Sequence, residues 1–251
     1  MDKKRIILGL DISTACLGTS VVSYDGEETK VLYVHYVKMK QNKNYKGTDA
    51  LFYKSNLFKE TFIKDKVTSW GVTDIVIEEP LPSSQNSVTV NTLMKFNGMI
   101  SQSIYEATGI IPKYISSYDA RKYAFPELLG VRKYNKKDEM YSLSKYKNAL
   151  KNNDLVLFGE YPFSCAKKYI LWNKIVELYP DINWIYDKND DLKTENFDAS
   201  DSLVCVLGYI NKLKHDDHME PLIKDVKMFD KYIDYTIEVW GKRIDKRLNL
   251  E

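Results

Sequence analysis

Residues 5–11 read RIILGLD, a run that is apolar on both faces of an extended chain and ends at Asp11. A strand with no polar face belongs in the middle of a sheet covered on both sides. Residues 15–18 predict a turn, and GTSVVSYDG a second strand closing on an Asp-Gly turn. Residues 30–39 alternate Val31, Tyr33, His35 and Val37 against Leu32, Val34 and Tyr36, a third strand in meander order. The period then changes: Leu51, Phe58 and Phe62 share one face of a helix over about 49–69, stopped by Gly71. Residues 74–78, carrying IVIE, make a short strand, and 111–115 a fifth. Between them Leu93, Phe96, Ile100 and Ile104 step by three and four along a helix over 87–107 that ends at Gly109. An irregular, basic, tyrosine-rich stretch fills about 119–163. Leu171, Ile175 and Leu178 then mark a helix over 167–179, and Leu203, Leu207 and Ile210 the buried face of another after the acidic loop DKNDDLKTEN. Further on, Val226, Phe229, Ile233, Ile237, Ile244 and Leu248 fit a long helix, while YIDYTIEVW alternates like a strand, and both readings stay open. The order βββαβαβ followed by helices predicts an α/β fold, a mixed five-stranded sheet flanked by helices.

Acids stand where an apolar core has little use for them. Asp11 ends the first strand, Glu78 ends IVIE with Glu79 beside it, and Asp198 and Asp201 open an apolar helix in FDASDSLVCVLGYI. A carboxylate in such surroundings needs a cation, a donor or water. Taken alone, Asp198 reads as a helix N-cap with Asp201 completing a near capping box, and Glu78 and Glu79 as exposed turn residues. Asp11 resists that treatment, because Asp is disfavoured in a covered strand. If strands one and four are neighbours, Asp11 and Glu78 meet at one sheet edge, while Asp198 and Asp201, three apart, share a helix face. Four carboxylates that meet repel one another unless divalent cations sit among them. Such a hard-oxygen set suits two Mg²⁺ ions about 4 Å apart, able to activate water and stabilise a leaving oxygen in phosphodiester hydrolysis.

Composition narrows the field. The 251 residues are 44% hydrophobic and 29% charged, as in an ordinary globular protein with a substantial core. The three cysteines, Cys16, Cys165 and Cys205, are far apart and form no C-x-x-C, which suggests neither a disulfide framework nor a zinc site and points to a reducing cytoplasm. The apolar run before Asp11 is too short for a signal-peptide core or a membrane span, so no membrane association is expected. A net charge of +2 conceals a polarity: ten Lys/Arg against four Asp/Glu over 113–151, then seven acids against two bases over 181–201. A basic segment carrying Arg132, Lys133, Lys136 and Lys137 beside an acidic pocket suits an enzyme that grips a polyanion and holds cations; two solvated surfaces are the plain alternative. Tyr114, Tyr118, Tyr123, Tyr134, Tyr141 and Tyr146 either stack on unpaired bases or pack. His215–His218, H-D-D-H, offers metal-ligand types but has no further ligands nearby in sequence and reads as an exposed loop, and His35 as a packed strand residue. No G-x-x-x-x-G-K-[ST] loop occurs, so no nucleotide cofactor is expected.

ILGLDIST with GTSVV, then VIEEPLP, then FDASDSL resembles, in that order, the RuvC family of Holliday-junction resolvases within the ribonuclease H-like fold. The resemblance covers about residues 4–211. It implies Asp11, Glu78, Asp198 and Asp201 as catalytic metal ligands, Glu78 rather than Glu79 because the family's Glu directly follows the last apolar strand residue. It also implies Mg²⁺ as cofactor with Mn²⁺ able to substitute, branched DNA such as a four-way junction as substrate, and a homodimer that makes two symmetric cuts. Family basic residues fall at Arg121 or Lys122 beyond strand five, and at Lys167 or Lys168 on the helix before the acidic loop. Ile12-Ser13 replaces the usual Pro-Gly, and Leu81 stands nearest the family's junction-wedging aromatic. The extra length gives a nuclease domain over 1–215 with a basic insertion at about 119–163 and a C-terminal extension over 216–251, as in divergent phage or viral relatives. The expectation is a metal-dependent, structure-selective DNA endonuclease of the (host) cytoplasm. Its rivals are another ribonuclease H-like nuclease acting on RNA–DNA hybrid or a different DNA structure, a non-catalytic DNA-binding module, and an actin-like sugar or acetate kinase. GLDISTACLGTSVV is similar to the phosphate-binding first hairpin of such kinases, but a second Asp-Gly-Gly loop is missing.

Overall fold

The computed structural model describes residues 4–80, 87–125, 134–135, 140–141, 167–189 and 191–218. Strand β1 (Arg5–Ile12) pairs antiparallel with β2 (Cys16–Tyr24), and β2 pairs antiparallel with β3 (Thr29–Lys38). On its other side β1 takes β4 (Asp74–Glu78) in parallel, and β4 takes β5 (Lys113–Ile115) in parallel. The sheet order is therefore β3-β2-β1-β4-β5, with the doubly apolar strand at its centre. This is the mixed five-stranded sheet flanked by helices expected from the sequence. A separate two-stranded pairing joins β6 (Tyr134–Asn135) to β7 (Met140–Tyr141).

Strand parity sorts the core into two layers. Leu8, Leu10 and Ile12 of β1, Leu17 and Val21 of β2, and Ile75 and Ile77 of β4 face one side. There they pack on Leu51 and Phe58 of helix α1 (Gly47–Phe58), on Phe62, Ile63 and Val67 of the π-helical stretch Lys59–Val67 that continues it, and on Phe96, Ile100 and Ile104 of α2 (Ser87–Thr108). Ile7, Val22, Val76 and Ile115 face the other side. They meet Ala120 of α3 (Ser117–Ala124), Leu171 and Ile175 of α4 (Lys167–Leu178), and Leu203–Leu207 and Ile210 of α5 (Glu195–His218). The first helical body and α2 end at Gly71 (φ 64°) and Gly109 (φ 71°), a left-handed conformation that costs a glycine nothing.

Four local expectations change. β2 begins at Cys16, so Gly18 lies in a strand and the turn occupies 13–15. Ser13 closes that turn: its Oγ accepts from the Cys16 amide at 3.0 Å and donates to the Cys16 carbonyl at 2.7 Å. The stretch read as irregular from 119 starts inside α3, whose N-cap Ser116 accepts from the Asp119 amide at 3.0 Å. Helix α5 begins at Glu195, three residues before Asp198, so Asp198 is not its N-cap. The backbone of 215–218 is helical rather than a loop, because α5 carries on through it. Arg132, Lys133, Lys136, Lys137 and Leu81, with most of the 119–163 stretch and the segment after 218, lie outside the described residues. Among the described residues no helix is long and apolar enough to cross a membrane.

Candidate active site

Asp11 shares its parity on β1 with Ile7 and Gly9, and Glu78 shares its parity on β4 with Val76, so both acids project from the sheet face that α5 covers. Register brings them together. Leu10 pairs with Ile77 in the parallel β1–β4 ladder, and the next step along both strands is Asp11 beside Glu78. Glu79 goes elsewhere: its side chain is exposed, and its amide donates to the Ile115 carbonyl at 2.8 Å, extending the β4–β5 pairing.

Helix α5 reaches this edge because two glycines let it come close. A Cβ on Gly9 would collide with the Ser202 carbonyl and Val206, and one on Gly18 with the backbone of Asp198 and Ala199. Gly18 is the register partner of Asp11, so the first turns of α5 lie directly over Asp11. Asp198, Asp201 and Cys205 follow one another at spacings of three and four along the helix. Asp198 is half-buried and Asp201 is buried, 7% exposed. The start of α5 is pinned from outside by Asn196, 2% exposed, whose side-chain amide accepts from the Ile185 amide at 3.1 Å and donates to the Ile185 carbonyl at 2.6 Å. On the far side Glu195 pairs with Lys38 at the end of β3, and that contact holds the Glu195 carboxyl below its usual range.

Two buried thiols report the charge gathered here. Cys205, fully buried, donates from Sγ to Glu78 Oε2 at 3.7 Å. Burial first, and then the charges of Glu78, Asp11 and Asp201, push this thiol well above its ordinary pKa. Cys16, at the start of β2, is pushed up to about 12 by burial and then by Asp198, which also accepts its hydrogen bond, with smaller contributions from Glu195 and Asp11. Asp11 is the acid whose charge raises both thiols.

The donor chemistry fits a hard divalent cation: four carboxylates, two on a sheet edge and two on the helix above it. As placed, no three His, Cys, Asp or Glu side chains among the described residues close into a ligand group, so holding a cation requires the carboxylates to turn toward a common point. Lys54 of α1 is 7% exposed, and its Nζ donates at 2.6 Å to the carbonyl of Thr14, in the turn after Asp11. Arg121 and Lys122 sit on α3, which follows β5 and packs against Gly208 of α5; the Lys122 ammonium lies 5.2 Å from the Tyr123 ring centroid. Lys167 and Lys168 open α4. His35 packs on β3, its ring stacked 5.9 Å from that of Tyr33.

Sequence reasoning left out the two thiols, Lys54, and the Lys38–Glu195 pair. Gly9, inside the predicted first strand, carried a readable signal for the approach of α5, since a glycine inside a strand marks close approach by another backbone.

No family model matches the chain, and no curated protein matches it. Solved structures do. The chain is similar to Thermus thermophilus RuvC at 12% identity, covering 84% of this chain and 96% of that one with a TM-score of 0.49. The same protein in complex with a Holliday junction substrate aligns at 9% identity over 84% of this chain and 95% of that one, TM-score 0.46. The yeast mitochondrial Holliday junction resolvase Ydc2 aligns at 12% identity over 86% and 82%, TM-score 0.48.

Proposed function

We propose that this chain is a divalent-metal-dependent endonuclease that cuts branched DNA, with a four-way junction as substrate, by hydrolysing one phosphodiester bond in each of two symmetric strands. The observation that carries the reading is the meeting of Asp11 and Glu78 at one sheet edge beneath Asp198 and Asp201 of α5. The resemblance of ILGLDIST, VIEEPLP and FDASDSL, in that order, to the resolvase motifs supports this substrate class.

Asp11, Glu78, Asp198 and Asp201 would hold the cations, Mg²⁺ or Mn²⁺. Such ions supply Lewis acidity at the attacking water and the leaving 3′-oxygen. The protein's own part is orientation. The β1–β4 register sets the spacing of Asp11 and Glu78, and the Gly9 and Gly18 contacts fix the height of α5 above them. Arg121 and Lys122, Lys167 and Lys168, with Arg132, Lys133, Lys136 and Lys137 of the basic stretch, would hold phosphates without reading sequence, so binding weakens steeply with salt. A homodimer would present two such sites to the two equivalent strands of a junction.

The test is cleavage of a synthetic four-way junction, a linear duplex and an RNA–DNA hybrid, with and without Mg²⁺, by the native chain, Asp11→Asn and Asp201→Asn. Symmetric junction nicks are expected that need Mg²⁺ and fall at least about a hundredfold in both variants, the loss of several kcal/mol of charge stabilisation. Cleavage of the hybrid alone would remove the junction assignment. Undiminished activity in Asp11→Asn would remove the site.

A further inference from the structure

Cys205 and Cys16 are not ordinary core fillers. Each is buried where the β-sheet and α5 meet, and Cys205 donates to a carboxylate of the cluster. Cys205 lies one helical turn after Asp201, directs Sγ at Glu78 Oε2 at 3.7 Å, and has no solvent exposure. Cys16, 5% exposed, packs with Ala199, the residue after Asp198. A serine would come close in volume and keep a donor, whereas an alanine would offer the acid nothing.

We propose that Cys205 is a positioning residue: a thiol donor that aims the Glu78 carboxylate for cation binding. The assignment rests on reading the four acids as cation ligands. Before a cation arrives, several like charges share a half-buried edge, and each gains from a donor that adds no charge. A thiol suits the task because its hydrogen bond is long and weak, so it orients a carboxylate oxygen without competing with a cation for the other. The helix spacing that places Asp198 and Asp201 over the sheet edge places Cys205 one turn on, so donor and ligands are carried by one rigid element.

The experiment is a calorimetric Mn²⁺ titration, without DNA, of the native chain, Asp11→Asn, Cys205→Ala and Cys205→Ser, each first checked for native melting. Mn²⁺ binding that is lost in Asp11→Asn, weakened about tenfold in Cys205→Ala, and intermediate in Cys205→Ser, which retains a donor, supports the assignment. In parallel, junction cleavage at saturating Mn²⁺ should stay within about threefold of native in Cys205→Ala, the loss appearing in the metal concentration required. Equal affinity in native and Cys205→Ala chains would overturn the positioning role while leaving the carboxylate site standing. A Cys205→Ser chain that melts like the alanine variant and binds no better would also overturn it, in favour of packing alone. A native chain that binds no Mn²⁺ would overturn the carboxylate reading, and the thiol assignment with it.

Discussion

Replacing Gly18 by Ala asks whether the close approach of α5 to β2 is what aims the acids. An added Cβ would stand 2.8 Å from the Ala199 amide nitrogen and closer still to the Asp198 carbonyl, whereas real Cβ contacts essentially never fall below 3.0 Å. Every one of these neighbours is backbone, so no rotamer change relieves the clash, and α5 must lift by about 1 Å. Without the clash an alanine in a strand would stabilise, so a loss has a definite sign. Overpacking of this kind costs about 1–3 kcal/mol, a fall of roughly 2–10 °C in Tm for a chain of this size. A shift of about 1 Å in Asp198 relative to Asp11 should reduce the rate about a hundredfold. The control is Gly98→Ala on α2, where the added methyl meets nothing within 4 Å and should raise stability by about 0.5–1 kcal/mol. Scanning fluorimetry gives the Tm, and Mg²⁺-dependent junction cleavage per folded molecule gives the rate. A Gly18→Ala chain that melts and cleaves like the native one would refute the close approach. A lower Tm with the rate per molecule intact would refute the link from packing to aim.

Two further perturbations have signs set by burial and charge. Lys54 lies buried with its pKa lowered by desolvation, so the folded state disfavours its charge: Lys54→Met should melt no lower than the native chain by calorimetry, yet cleave junctions more slowly because the turn after Asp11 loses its anchor at Thr14. The opposite pair of results, lower melting with full cleavage, would show a purely structural lysine. Lys38 holds the Glu195 carboxyl below its ordinary 4.5, so the pair stabilises above that pH and its contribution is lost as pH falls through the lowered value. The Tm difference between the native chain and Lys38→Ala should therefore be present at pH 7 and close in acid; a difference independent of pH would remove the ion pair as its cause.

The central strands were legible because coverage on both faces leaves a mark that period alone reveals: RIILGLD and DIVIE have no polar side to show solvent, and they became β1 and β4. The helix stops at Gly71 and Gly109 were legible because a left-handed residue after an apolar period is almost always glycine. Helix α3 was not, for its eight residues bury only Ala120 and Tyr123, too few to display a period. Its capping signature, Ser116 followed by Asp119, was the available cue. The all-polar run at 215–218 has no apolar period either, and its helix is carried by the backbone of α5. Cys16 and Cys205 could not be read at all. Which acid a buried thiol meets depends on strand parity and on the height of a helix over the sheet, and both are tertiary facts.

The Asp198-x-x-Asp201 pair shows how a local rule and a site can share residues without being rivals. A cap must precede the first helical residue, and α5 already begins at Glu195, so neither aspartate is one. Asp198 still has a local justification, because an acid in the first turn sits at the positive end of the helix dipole and gains about 0.3–1 kcal/mol there. Asp201 has no such claim. It lies in the second turn, where the dipole has faded, it is 7% exposed, and its charge is felt by Cys205 together with those of Glu78 and Asp11. A buried acid placed among other acids costs the fold stability, and its neutral isostere should not. Under the proposed function the carboxylate at 201 is kept for the cation it would hold, so Asp201→Asn should cost junction cleavage far more than it costs Tm.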